Sequence, residues 1–124
     1  MKERREYSRI GLNIDTIVFL ENGDEINCII SDISETGICI KLEGNEKTLP
    51  IKEGDILSFQ TVDTFILYDK EVIKYINGDF KILRIQNING VMFLGCIFTY
   101  IPQRLLDYIR DRKVALYIQS GFML

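Results

Sequence analysis

The sequence predicts an all-β fold, an antiparallel six- to seven-stranded split β-barrel that is followed by a C-terminal α-helix. Three observations predict it. Most of the chain consists of short apolar or alternating segments, the dipeptide Asn-Gly recurs between such segments, and a helical spacing of apolar residues comes last. Short strands that are joined by tight turns, without intervening helices, are typical of antiparallel barrels and sandwiches.

The first strand is predicted from Leu12 to Leu20. Apolar side chains recur at every second position in this segment, with the period of two that marks a half-buried strand. Asn22-Gly23 follows and predicts a tight hairpin turn, because Asn tolerates and Gly readily adopts a positive φ.

Further strands are predicted wherever apolar or alternating residues recur between turn signals. Asn77-Gly78 and Asn89-Gly90 repeat the turn signal of the first hairpin. The stretch from Glu43 to Gly54 contains Gly, Asn and Pro, and it is predicted to be the one long irregular loop. The predicted strands lie near residues 25–31, 37–42, 56–62, 65–68, 71–76, 80–86 and 91–98.

The helix is predicted over residues 102–118. Pro102 suits the first helical turn, and the apolar residues that follow it recur at helical spacing. We expect this apolar stripe to pack on the barrel. Its members are Leu105, Leu106 and Ile109, with Leu116 and Tyr117 as a possible extension.

Length and composition are those of one globular domain that does not bind polyanions in general. The 124 residues are 47% hydrophobic, and 15 basic against 18 acidic residues give a net charge of −3, which argues against binding to a nucleic acid polymer. No apolar run approaches the roughly 20 residues that span a bilayer. The charged N-terminus also lacks the apolar core of a signal peptide, so we expect a cytoplasmic protein without membrane insertion.

The reactive side chains are few. Cys28, Cys39 and Cys96 lie within apolar strand patterns and are predicted to be buried free thiols. Histidine is absent, which removes the commonest general base and the commonest zinc ligand. We therefore expect no catalytic centre, no metal site and no cofactor.

Two short motifs flank the first predicted hairpin. The first is Arg5-Glu6-Tyr7-Ser8-Arg9, an Arg-x-x-x-Arg sequence, and the second is Asp32-Ile33-Ser34-Glu35-Thr36-Gly37, an Asp-x-Ser-x-x-Gly sequence. Each is weak alone, since an Arg-rich terminus is usually a solvated tail and Asp-x-Ser is usually an ordinary turn. In this order, the pair resembles the two signatures of the PilZ domain, the bacterial receptor for cyclic di-GMP.

The resemblance implies a cyclic di-GMP site that contains both motifs. Arg5 and Arg9 would bind guanine and phosphate, since a guanidinium group makes bidentate bonds to either and stacks on a base. Asp32 would accept hydrogen bonds from the donor edge of guanine. The hydroxyl of Ser34 would bond a phosphate or fix the loop backbone, and Gly37 would permit close approach of the chain.

Three further residues are candidates for the ligand site. Arg4 extends the basic arm, and Tyr7 can stack on a base or anchor the arm on the barrel. Arg84 lies on a predicted strand, where it either points into the pocket or lies on the solvated face, and we favour the solvated face. Glu3 and Glu6 flank the motif arginines and leave open a weakened or lost site.

The predicted organisation is a single PilZ-like domain over residues 1–124, with a flexible arm at 1–11, the barrel at 12–98 and the helix at 102–118. The predicted function is that of a receptor or adaptor whose arm folds over cyclic di-GMP and so alters the surface that a partner protein meets. The resemblance implies a partner in motility, adhesion or polysaccharide machinery, and we expect a monomer or homodimer. The alternative is a ligand-free barrel that serves as a protein–protein interaction module.

Overall fold

A computed structural model describes residues 9–42 and 49–119 of the chain. Within these residues it contains six β-strands, followed by one α-helix near the C-terminus. The elements are β1 (Ile10–Phe19), β2 (Glu25–Ile33), β3 (Gly37–Leu42), β4 (Ile56–Leu67), β5 (Lys70–Ile88), β6 (Val91–Tyr100) and α1 (Gln103–Gln119).

The strands form a closed barrel in the order β1-β2-β3-β6-β5-β4, and all neighbouring strands are antiparallel. Closure between β1 and β4 is short, since only Ile17–Phe19 pairs with Ser58–Gln60. Side chains extend this contact: the Thr16 hydroxyl donates to the carbonyl of Gln60 at 3.1 Å, and the Thr61 hydroxyl donates to the carbonyl of Asp15. The predicted fold class, a mainly antiparallel β-barrel with a C-terminal helix, is confirmed.

Two of the three predicted Asn-Gly turns are confirmed. Asn22-Gly23 connects β1 to β2, where the Gly23 amide donates to the carbonyl of Leu20 at 3.0 Å. Asn89-Gly90 connects β5 to β6, and both residues have positive φ values, 50° and 83°. Such a two-residue connection matches the twist of the strands that it joins.

The third predicted turn is wrong, because Asn77-Gly78 lies inside β5 and pairs with Gln60 and Phe59 of β4. Gly78 is required for packing and does not form a turn. A Cβ atom at this position would lie 3.1 Å from the Phe59 ring and 3.2 Å from the side chain of Leu105 on the helix. The glycine therefore leaves room for the helix to approach the sheet.

The chain reverses between β4 and β5 at Tyr68-Asp69, where φ is 51° and 64°. The segments predicted as separate strands at 56–62 and 65–68 are accordingly one strand, β4. The segments predicted at 71–76 and 80–86 are likewise one strand, β5. We call the part of this long hairpin at residues 61–76 the hairpin extension.

The barrel interior is filled by aliphatic and aromatic side chains. The Phe59 ring lies 6.2 Å from that of Phe80 and 6.3 Å from that of Phe98, measured between centroids. These contacts join β4, β5 and β6 across the core. Fully buried aliphatic residues surround them: Val18, Ile30, Ile33, Ile38, Ile40, Ile82 and Leu94.

The helix α1 packs on β4 and β5. The carbonyl of Pro102 accepts the amide of Leu105 at 2.9 Å, so Pro102 caps the helix, which begins one residue later than predicted. Leu105 and Ile109 are fully buried, as the helical stripe predicts. Tyr117, a predicted extension of that stripe, is instead 51% exposed.

A buried polar cluster attaches α1 to the hairpin extension. Asp63 of β4 accepts hydrogen bonds from the Tyr108 hydroxyl at 2.8 Å and from the Arg112 guanidinium at 3.0 Å. The same guanidinium lies 4.9 Å from the centroid of the Phe65 ring, which also meets Tyr108 edge-on. Every member thus has a partner, as a buried charge requires.

The cysteines differ from the prediction at one position. Cys28 and Cys96 are buried, whereas Cys39 is half-buried on the outer face of β3, and all three are free thiols. In the described part of the chain, no helix has both the length and the apolar character needed to cross a membrane.

Candidate ligand-binding site

An ion pair joins the two sequence motifs. The Arg9 guanidinium donates to Oδ1 of Asp32 at 2.7 Å, although 23 positions separate the two residues. The pairing of β1 with β2 explains the contact, since Gly11 stands opposite Asp32 and Ile10 opposite Ile33. Both side chains are partly open to solvent, with exposed fractions of 46% for Arg9 and 29% for Asp32.

A β-bulge directs Asp32 outwards. The register between β2 and β3 shifts between Ile30, which faces Ile40, and Asp32, which faces Cys39, so Ser31 is an additional residue. The bulge interrupts the strict alternation, which would otherwise bury Asp32 with Ile30. The Ser31 hydroxyl also lies 3.4 Å from Oδ2 of Asp32.

Ser34 lies beneath the surface, with an exposed fraction of 1%. Its hydroxyl accepts the backbone amides of Thr36 at 3.2 Å and Gly37 at 3.3 Å, and its own amide donates to the carbonyl of Gly37 at 2.9 Å. These bonds hold the loop backbone, which is one of the two roles predicted for this hydroxyl, and the bond to a phosphate stays a prediction. Ser34 therefore sets the shape of the turn that carries Asp32 and Gly37.

Gly37 permits a close backbone contact between β3 and β6. A Cβ atom at this position would overlap the carbonyl oxygen of Cys96. It would also lie 3.5 Å from a guanidinium nitrogen of Arg9. The glycine thus fixes the approach of two strands and borders the arginine, which brings Arg9, Asp32 and Gly37 together.

The motif loop between β2 and β3 is held from both sides. The carbonyl of Thr36 accepts the amide of Phe98 on β6 at 2.9 Å. On the other side, Nζ of Lys113 on α1 donates to both carboxylate oxygens of Glu35, at 2.9 and 3.0 Å. The loop that carries half of the candidate site is therefore connected to the helix.

The remaining predicted site residues differ in position. Arg4, Arg5 and Tyr7 lie outside the residues that the structure describes. Arg84 is exposed on β5, opposite Gly95 of β6, and whether it contacts a ligand stays a prediction. That outer face is also the one that carries Asp32.

Cys39 was not recognised as part of this site from the sequence. Strand pairing places it directly between Asp32 and Gly95. The alternation of β3 contains the signal, because Ile38 and Ile40 are buried and the residue between them must face outwards. We call the outer surface formed by Arg9, Asp32, Cys39, Gly95 and Arg84 the site face.

The electrostatics of the site face suit an anionic, donor-bearing ligand. Burial, and secondarily the charge of Asp32, raise the pKa of the Cys39 thiol, whereas Arg9 and Arg84 lower it. The thiol is therefore neutral at pH 7. Two guanidinium groups and one carboxylate of this face can bind and orient a ligand.

Two clefts lie away from the site face. Two open clefts of about 390 and 500 Å³ flank Gln60–Val62, where β1 separates from β4. Neither is lined by a residue of the two motifs. In the described residues, no cluster of Cys, Asp and Glu side chains could hold a metal ion. The motif residues instead form an open surface.

Comparisons with known proteins identify the family and the fold. A family model of the PilZ domain matches residues 3–111. Among solved structures, the Bacillus subtilis inhibitor of motility MotI/DgrA is similar, with 24% identity and a TM-score of 0.65, over 90% of this chain and 52% of that chain. No curated protein matches the sequence.

The PilZ domain of Escherichia coli YcgR, solved with c-di-GMP, is similar over 95% of this chain and 93% of that domain, with 14% identity and a TM-score of 0.61. Longer YcgR in complex with c-di-GMP is similar over 97% of this chain and 49% of that chain, with a TM-score of 0.63. This chain thus spans about half the length of MotI and of that longer YcgR structure. These likenesses show a shared fold, and the family match covers most of the sequence. The chain belongs to the PilZ domain family.

Proposed function

We propose that this protein is a receptor that binds cyclic di-GMP on the site face and acts by binding rather than by catalysis. One observation supports the proposal above all others. The Arg9–Asp32 ion pair unites the two motifs of a PilZ domain beside Gly37, on a solvent-accessible surface. In the similar YcgR structures the ligand present is c-di-GMP.

The proposed contacts follow from the chemistry of each side chain. Asp32 accepts hydrogen bonds from the N1 and N2 donors of a guanine, for which its two oxygens retain free lone pairs. Arg9 binds the guanine acceptors or a phosphate, and Arg5 of the same motif binds a second group of the ligand. Gly37 has no side chain that would keep a ligand away from Arg9. Ser34 fixes the turn that contains Gly37.

Binding is proposed to reach a partner protein through the motif loop and the helix. Glu35 belongs to the loop and Lys113 to α1, so a shift of the loop alters an ion pair of the helix. A partner that contacts α1 would then distinguish the two states. The similar protein MotI is an inhibitor of motility, which supports a partner in motility machinery.

A second candidate function is a ligand-free module for protein–protein interaction. Its supporting observation is the outer face of the hairpin extension, where four apolar side chains are about half exposed or more. Monomeric proteins seldom expose adjacent large apolar groups without a use for them. These side chains are Val62, Ile66, Ile73 and Tyr75.

Calorimetric titration with cyclic di-GMP separates the two candidates. If the protein is a receptor, the wild type binds cyclic di-GMP. Arg9→Ala should then lower the affinity roughly ten- to a hundredfold, since a charge-assisted contact is worth about 1.5–3 kcal/mol. Arg5→Ala should have a similar effect. Arg110→Ala, which removes an exposed arginine from α1, is the matched control and should leave affinity unchanged. Absence of binding to the wild-type protein would instead favour the interaction module.

A further inference from the structure

A second β-bulge lies on the site face, in β5. Ile82 faces Cys96 and Arg84 faces Gly95, so Leu83 is an additional residue in the ladder. Ile82 is fully buried, while Leu83 and Arg84 are both exposed. Strict alternation would have turned Arg84 into the barrel with Ile82. The bulge instead re-aims Arg84 outwards, which is a common use of bulges beside functional sites.

Strand pairing places Arg84 and Asp32 in one row on the outer surface. Asp32 pairs with Cys39, Cys39 pairs with Gly95, and Gly95 pairs with Arg84. Paired residues of neighbouring strands share a face, so all four side-chain positions are on the same side of the sheet. The Cα atoms of Asp32 and Arg84 are three strand spacings apart, roughly 14 Å.

The Arg84 side chain lies over Gly95 and therefore extends along this row towards Cys39 and Asp32. A Cβ atom on Gly95 would be 3.5 Å from one terminal nitrogen of the guanidinium, 3.8 Å from its central carbon and 3.8 Å from Nε. Near-equal distances to three atoms of a planar group mean that this position faces the plane rather than its edge. One face of the guanidinium therefore covers the strand, and the Arg84 side chain is exposed to solvent.

Arg84 has no hydrogen bond or ion pair among the described residues, in contrast to Arg9, which is bound to Asp32. Its charge still reaches the row, since Arg84 lowers the pKa of the Cys39 thiol. An arginine that meets no carboxylate within residues 9–42 and 49–119, and whose plane lies against a glycine, has its N–H donors and one planar face for a ligand.

We propose that Arg84 is a further ligand-contacting residue, which stacks its guanidinium plane on the second guanine of cyclic di-GMP while Asp32 reads the first. This assignment rests on the proposed function. The ligand then spans the row from β2 to β5, and its central phosphates lie above Cys39 and Gly95. A planar cation suits the face of a purine.

Titration of Arg84 variants tests the stack. Arg84→Ala should weaken cyclic di-GMP binding about tenfold. Arg84→Lys should weaken it nearly as much, because lysine keeps the charge but has no planar group to stack. Arg110→Ala, an exposed arginine on the helix, is the matched control and should bind as the wild type does. Unchanged affinity in Arg84→Ala would overturn the proposal, and full affinity in Arg84→Lys would reduce Arg84 to a point charge and overturn the stack.

Nuclear magnetic resonance of the arginine Nε–H groups gives an independent readout. The signal that is missing from Arg84→Lys identifies Arg84. On saturation with cyclic di-GMP it should move upfield, because a proton above a stacked base is shielded by the ring current. A downfield shift would indicate a hydrogen bond in the guanidinium plane and would overturn the stack. Failure of the wild-type protein to bind is a separate result, since it removes the proposed function before any variant is compared.

Discussion

Strand β5 belongs to two regions that differ in the regularity of their strand pairing. Along the hairpin extension and beyond it, β5 pairs with β4 in unbroken register, from Lys70 opposite Leu67 to Lys81 opposite Ile56. Towards the site face, its pairing with β6 is interrupted twice, once at Leu83 and once where Asp79 faces Tyr100. Regular pairing preserves the alternation of buried and exposed residues, whereas each interruption changes which side chains face outwards.

The two regions also differ in the burial of their charged side chains. In the hairpin extension, Asp63 is buried and its carboxylate is bound to Tyr108 and Arg112. On the site face, Asp32 and Arg9 are partly exposed, and neither group is enclosed by other side chains. Removal of one partner from a buried charge pair strongly destabilises a protein, whereas exposed charges contribute little to stability and remain available to a ligand. The following predictions test this division of roles.

The largest effect is expected in the hairpin extension. Asp63→Ala removes a buried carboxylate and leaves the Arg112 charge and the Tyr108 hydroxyl without their partner. Breaking a buried pair in this way costs about 3–5 kcal/mol. Urea unfolding followed by circular dichroism measures the loss, while cyclic di-GMP affinity of the folded fraction should be unchanged.

Asp32→Ala is the matched comparison, since it removes a carboxylate that also binds an arginine. Because that pair is partly exposed, its loss should lower the free energy of unfolding by less than about 1 kcal/mol. Equal destabilisation by the two variants would contradict the separation of a stabilising region from a binding region.

Raising the pH should destabilise the protein through two buried groups, a core thiol and the tyrosine bound to Asp63. Burial raises the pKa of the Cys96 thiol to about 12, and burial with the hydrogen bond to Asp63 raises the pKa of the Tyr108 hydroxyl. Above the unfolded pKa values, about 9 and 10, the unfolded chain loses these protons while the folded protein keeps them. Stability is therefore full below pH 9 and falls from pH 9 towards 12, by up to about 1.4 kcal/mol per unit for each group.

Denaturant titrations at several pH values measure this slope. Tyr108→Phe should reduce the loss that begins near pH 10, since phenylalanine has no proton to release, and Cys96→Ala should reduce the loss that begins near pH 9. A slope that neither variant alters would show that other groups govern alkaline unfolding.

Sequence reasoning succeeded where local chemistry decides the structure. Asn89-Gly90 forms its turn because both residues accept positive φ, and the pattern at residues 37–42 gives β3 with its predicted bounds. It failed at Gly78, since only the approaching Leu105 shows that this glycine makes space for a helix. The turn at Tyr68-Asp69 has a weak sequence signal, because Asp tolerates a positive φ but Tyr does not favour one and no glycine follows.

The candidate site was predictable in part for the same reason. The motifs name Arg9, Asp32 and Gly37, which the structure brings together. Their common face depends on the bulge at Ser31, and the placement of Arg84 depends on the bulge at Leu83. A bulge changes the alternation of a strand without leaving a composition signal, so the role of Arg84 could not be decided from its position in the sequence.

Selectivity among cyclic dinucleotides is expected to depend on Asp32. Asp32→Asn should weaken cyclic di-GMP binding about tenfold or more, since the amide presents donors to the donor edge of guanine. Cyclic di-AMP should bind far more weakly than cyclic di-GMP to the wild type, because adenine lacks that edge. Parallel calorimetric titrations compare the two ligands. Equal affinity for both would mean that the site face recognises phosphate and shape alone.

The smallest effect is expected at the ion pair that connects the two regions. Glu35 lies in the motif loop, and Lys113 lies on the helix that packs against the hairpin extension. Lys113→Ala should lower the free energy of unfolding by about 0.2–1 kcal/mol, because both side chains are about one-third exposed. Salt at about 1 M should remove most of this difference. Arg110→Ala, which breaks the exposed pair with Asp107, is the control within the same helix.

The same pair limits how strongly ligand binding can act on the helix. Coupling through one ion pair cannot exceed the free energy of that pair, so Lys113→Ala should change cyclic di-GMP affinity by less than about fivefold. If the pair carries the signal, saturating ligand should slow amide exchange in α1 of the wild type, and Lys113→Ala should lose that response. Exchange in α1 that responds equally in both proteins would show that the helix senses the ligand through the sheet. In that case the effect of the ligand would pass from the interrupted region to the regular region through β5, the strand that both share.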